Sequence, residues 1–194
     1  MKTLFNLPLN ALLLCTALTT TAASVPNDKG EQIQEKTFGT KRHGKLIHFA
    51  DGMFRDNTDR IEIGQVIKLK KKTVQVQTVK LYVFDTAVDS LDFKISFYQV
   101  INGQPTLTQI HEPIWLTQAI DEGWLTLDLS NYDLVLDKDF LVALETEKTS
   151  KYDESLSYEV KPLANRNSYY RFHHSDTWKR PPHRYCLQVV ANVL

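Results

Sequence analysis

A chain of 194 residues is long enough for one domain with a sizeable buried core. Hydrophobic residues make up 42% and charged residues 24%, a globular balance that excludes a disordered chain. The 23 basic and 23 acidic residues cancel, so the chain lacks the basic excess of a nucleic-acid binder, and no nucleic-acid partner is expected.

The N-terminus reads MKTLFNLPLNALLLCTALTTTAASVPN. Lys2 supplies a positive start, Leu7 to Leu18 an apolar run, and Thr21, Ala22 and Ala23 the small residues of a cleavage site. This pattern predicts a secretory signal peptide over residues 1–23. The run is too short to span a bilayer comfortably, and no later run is long enough, so no transmembrane segment is expected in the mature chain. Cys15 follows Leu12, Leu13 and Leu14, where a lipoprotein signal would carry small residues, so lipidation is not expected. The expected location is the periplasm or the cell surface. Residues 24–34, SVPNDKGEQIQ, read as a flexible start, and residues 35–194 as one β-sandwich domain.

From residue 59 onward, side chains alternate with a period of two. Residues 59–69 alternate through Ile61 and Ile63, with Gly64 expected to mark a bulge. The Lys68–Lys72 run is expected to be a solvated turn. Residues 74–84 and 91–100 follow, the second with Leu91, Phe93, Ile95 and Phe97 on one face. Asn102 and Gly103 predict a tight hairpin. Strands are also expected over 123–129, 139–146 and 185–193, and near 44–49, 106–116, 156–161 and 168–172. No segment sustains a helical period. About ten short strands imply an all-β fold, an antiparallel two-sheet sandwich of jelly-roll type with polar outward rows.

The stretch Glu62-Ile63-Gly64, then VKLYVFDTAVDSLDFKISFYQV, INGQPTL and GWLTLDLSNYDLVLDKDFLVALE, covers about half of the expected mature chain. It resembles the secreted β-sandwich proteins of Gram-negative bacteria, jelly-roll or galactose-binding-like in plan, that occur alongside carboxypeptidase-like regulatory domains. The resemblance implies a fold and an envelope location. Neither the regulatory domain nor a sorting tail of those proteins is expected here, and the resemblance carries over no catalytic residue.

One mature cysteine, Cys186, excludes an intramolecular disulfide, and its apolar setting predicts a buried thiol. Just before it, residues 169–185 hold five rings, Tyr169, Tyr170, Phe172, Trp178 and Tyr185, with Arg171, Lys179, Arg180 and Arg184 among them. Flat rings and guanidinium donors suit sugar faces and hydroxyls, so Tyr169, Arg171, Trp178, Arg180 and Arg184 are the candidate ligand-binding residues. The plainer reading is structural. Tyr170 and Phe172 would face the core, Trp178 would pack under a loop, and Pro181-Pro182 would stiffen the return. His174, Asp176 and His183 are candidate metal ligands, but no zinc spacing accompanies them and no metal or other cofactor is expected. Asp51, Asp56, Asp59, Asp85 and Asp89 offer oxygens for calcium, or simply Asx-turn chemistry. No catalytic motif is present. The expected role is a non-catalytic, exported binding or adhesion-type module, with glycan as its ligand. An assembly component binding envelope protein and a hydrolase with an unrecognised site are the alternatives.

Overall fold

The computed structural model describes residues 34–41, 48–49, 61–86, 88–147, 156–162, 167–172 and 176–194. In chain order the strands are β1 (Gln34–Gly39), β2 (His48–Phe49), β3 (Glu62–Ile67), β4 (Val74–Thr86), β5 (Ser90–Ile101), β6 (Gln104–Gln109) and β7 (Ile114–Ala119). They continue as β8 (Gly123–Asp128), β9 (Val135–Leu136), β10 (Phe140–Glu147), β11 (Leu156–Pro162), β12 (Ser168–Arg171), β13 (His183–Tyr185) and β14 (Leu187–Val193). Among the described residues a 3-10 turn, Ser130–Tyr132, interrupts them.

The strands form two antiparallel sheets packed as a sandwich. The eight-stranded sheet runs β1-β14-β4-β11-β13, with β2 on β11 and β8 and β9 on β4. The six-stranded sheet runs β12-β3-β10-β5-β6, with β7 also on β5. Consecutive strands repeatedly change sheets, as in β3, β4 and β5, so each sheet is assembled from distant parts of the chain. The apolar rows read from the sequence form the space between the sheets. Val79, Leu81, Leu127 and Val189 from one sheet meet Ile63, Phe93, Ile95, Phe97, Phe140 and Val142 from the other. Phe97 and Phe140 pack with ring centroids 5.8 Å apart, within the range of favourable aromatic pairs.

Among the described residues fourteen strands stand where about ten were expected. Residues 106–116 divide between β6 and β7, the last run divides into β13 and β14, and β1 and β9 carry no alternation to find. The expected hairpin is present: Asn102 and Gly103 have φ of 52° and 75°, positive at both central positions of the turn. Lys68, Lys70 and Lys71 form the exposed turn expected of them. Gly64 does not mark a bulge, because β3 keeps register on both sides, against Ala143 and Tyr169. Its missing side chain instead admits Leu141, whose carbons lie 3.0 and 3.1 Å from where a Cβ would stand.

The expectation of polar, solvated outward rows fails on the six-stranded sheet. Its outer face carries a second apolar cluster of Val66, Tyr98, Leu141, Ala143 and Tyr169, with Val100 and Trp178 packed against it. Trp178 lies over this face, and its neighbour Lys179 is held by two backbone hydrogen bonds of 2.9 Å to Tyr170.

Candidate functional site

Register aligns five side chains across the outer face of the six-stranded sheet. Arg171 stands opposite Glu62, Glu145 opposite Lys94, and Lys94 opposite Trp115. Leu144 pairs with Ile63, so Glu145 falls level with Glu62 on the neighbouring strand. The row therefore reads Arg171, Glu62, Glu145, Lys94, Trp115. Its first four members are buried. Two carboxylates side by side in low dielectric are costly unless cations flank them, and here each has one. Arg171 Nε donates to Glu62 Oε2 at 2.6 Å, and Lys94 Nζ donates to Glu145 Oε2 at 3.0 Å.

Tyr98 ties the first pair together. Its hydroxyl donates to Glu62 Oε1 at 2.9 Å and accepts from Arg171 Nη2 at 2.6 Å. Burial pushes the Tyr98 phenol above the ordinary tyrosine value, and the Glu62 charge adds to that. A hydrogen bond from Gln109 and the Arg171 charge act in the opposite direction. The Arg171 guanidinium packs against two rings, 4.8 Å from the Tyr98 centroid and 4.5 Å from that of Trp178, which themselves meet edge to face at 5.3 Å. Trp178 is fixed in turn by Nε1 donating to the Thr106 carbonyl at 3.0 Å.

Four of the five candidate binding residues gather here, but largely as structure. Tyr169 is 1% exposed and Arg171 2%, so neither offers a face to a ligand. Trp178 is half-buried, with Arg171 against its ring. Arg180 is exposed, yet its Nε and Nη2 donate to the Tyr169 hydroxyl at 3.2 and 3.0 Å. Arg184 lies on β13 in the other sheet, opposite Lys161. Among the metal candidates, His174 lies outside the described residues, Asp176 is half-buried, and the half-buried His183 packs its ring 5.3 Å from that of Tyr185. No cluster of three or more His, Cys, Asp or Glu side chains is found among the described residues. Of the calcium candidates, Asp85 and Asp89 are exposed, and residues 51–59 lie outside the described residues. Cys186 is buried, its Sγ 3.6 Å from Glu159 Oε1.

The residue that sequence reasoning missed is Trp115. It ends the buried row on the outer strand β7, and it is 48% exposed. Lys94 Nζ lies 5.8 Å from its ring centroid. Beside it, Thr117 donates its hydroxyl to Asp92 Oδ1 at 2.5 Å. Asp92, Trp115, Leu116 and Thr117 line a shallow depression of about 240 Å³. The signal was present in IWLTQA, where Ile114 and Leu116 face inward and a tryptophan occupies the outward row. Trp124, by contrast, stands edge-on to Tyr82 at 5.3 Å on the other sheet. A larger groove of about 440 Å³ runs past Ile101, Ile110 and Val135, which are exposed, and past Asp137, Lys138 and Asp139.

No family model and no curated protein sequence matches the chain. Two solved structures of the surface-layer-associated cysteine protease Cwp84 of Clostridium difficile are similar in fold. One contains its cysteine protease and lectin-like domains, at 11% identity and TM-score 0.53, covering 70% of this chain and 32% of that one. The other was solved after propeptide cleavage, at 10% identity and TM-score 0.59, covering 82% of this chain and 40% of that one. The chain thus spans a third to two fifths of the length of these structures, and at such identity the likeness is one of fold.

Proposed function

We propose that this protein is an exported, non-catalytic binding module that holds a glycan on the Trp115 face of its six-stranded sheet. The observation that carries this reading is the exposed Trp115 indole, flanked by Asp92 and Thr117. An indole gives a flat apolar surface for the C–H face of a sugar ring, and the neighbouring oxygens accept hydrogen bonds from its hydroxyls. The depression is smaller than the ~300–1,000 Å³ pockets that enclose small ligands, so a sugar lies on it rather than in it. The leader-like N-terminus and the lectin-like domain within a structurally similar surface-layer-associated protein support an exported binding role. The acids that converge on the outer face, Glu62 and Glu145, are buried in ion pairs, which supports a non-catalytic reading.

A glycan array comparing the wild type with Trp115→Ala and Trp124→Ala tests this. Expected is a wild-type signal lost in Trp115→Ala by tenfold or more and kept in Trp124→Ala. A wild type that binds no glycan, or a Trp115→Ala that binds as well as wild type, contradicts it.

A second reading rests on the groove past Ile101, Ile110 and Val135. Exposed aliphatic side chains beside a short outer strand suit an envelope protein partner. Ile101→Asp would then abolish co-purification with that partner without changing glycan binding.

A further inference from the structure

The Trp115 depression presents acceptors rather than cations. Asp92, Trp115, Leu116 and Thr117 line it, and none is basic. The Thr117 hydroxyl spends its proton on Asp92 Oδ1, at 2.5 Å, so both groups have acceptor capacity, and no proton, left for a ligand. Lys94 lies against the ring, but the residue is 8% exposed and its ammonium is engaged at 3.0 Å with Glu145. Its charge is therefore offset within the buried row.

Resting on the reading of Trp115 as a sugar platform, we infer its substrate class: sugars that bring hydrogen-bond donors and no negative charge, either neutral or amino sugars, with uronic and other acidic glycans excluded. A vicinal diol or an ammonium donates to the Asp92 carboxylate while the ring face lies on the indole. An acidic sugar sets a second carboxylate against Asp92, and like charges brought together discriminate against the wrong partner.

The test uses three oligosaccharides of equal length and linkage: a neutral glucan, its 2-amino counterpart and its uronic counterpart. Each is titrated against the purified chain, following tryptophan fluorescence or heat. At about 0.1 M salt, where charges act over about 10 Å, the amino sugar is expected to bind at least as tightly as the neutral one. The uronic sugar is expected to bind at least tenfold more weakly. In about 1 M salt, where that range falls to about 3 Å, the difference narrows. Asp92→Asn brings uronic binding to within about threefold of neutral binding. The salt series needs only the wild type, so the proposal stays testable should Asp92→Asn not fold. Uronic binding equal to or tighter than neutral binding, amino binding weaker than neutral, or a difference unmoved by both salt and Asp92→Asn overturns the inference and leaves the Trp115 platform standing. Failure of all three sugars to bind overturns both.

Discussion

Arg171 illustrates how residue type and burial part company. From its letter alone, an arginine between aromatic residues is a surface donor. In the fold it is enclosed by Tyr98 and Trp178 and bonded to Glu62. The sequence marks the residue as notable but cannot show the cover, because the cover comes from a segment returning over a sheet face assembled from strands about a hundred residues apart. Replacing Arg171 with Met strands the Glu62 charge, and removing one partner of a buried pair costs about 3–5 kcal/mol. Urea denaturation of Arg171→Met, Glu62→Gln and the double variant checks this. The double variant is expected to lose clearly less than the sum of the singles. Tyr98 adds a pH signature. Its phenol is raised in the fold, so its contribution is complete below the ordinary tyrosine value. It is lost as pH climbs through the raised value, because the unfolded chain ionises first. Tyr98→Phe is expected to cost about 1–3 kcal/mol at neutral pH, by leaving Glu62 and Arg171 short of a partner, and to flatten the alkaline loss of stability. Thermal melts across the alkaline range read both effects.

At the scale of elements, the long strands were legible and the short outer ones were not. β4 and β5 bury one row against the opposite sheet, and that burial writes a clean alternation into the sequence. β1 is largely exposed, β9 has two residues and β13 has three, so side-chain burial leaves little pattern there and pairing depends on the neighbouring strand. The Asn102–Gly103 turn was legible because positive φ at both positions selects its residues. Gly103→Val is expected to destabilise by about 1–2 kcal/mol through backbone strain, even though a Cβ there meets open space. The same substitution leaves the Trp115 depression intact, since β7 is anchored on β5 away from that turn. Equilibrium unfolding and a glycan titration on this variant separate the two. Trp115 was missed for a related reason: the alternation in its short outer strand puts the ring on the outward row, but whether that part of the outer face stays uncovered is decided by other segments.

For the molecule as a whole, packing between two sheets accounts for stability in the described domain without a disulfide, since Cys186 is free and buried. Its thiol is expected to resist alkylation until the sandwich opens. Mass-spectrometric labelling of the Cys186 peptide across a urea series should follow the global transition, and labelling well below it would mean that β14 loosens separately. The fold class was readable from periodicity because every long strand votes for the same sandwich. The site was not, because a binding face depends on which outward rows the chain leaves uncovered. The chain has three tryptophans, and each has a separate situation: Trp178 packs against Arg171 of the buried Arg171–Glu62 pair, Trp124 sits against Tyr82, and Trp115 stands beside Asp92 and Thr117. Their indole N–H resonances, followed by NMR during titration with a neutral oligosaccharide, put the central claim to the most direct test. The account predicts that the Trp115 signal shifts and saturates while those of Trp124 and Trp178 hold still. Movement of Trp178 or Trp124 with Trp115 unmoved would contradict it.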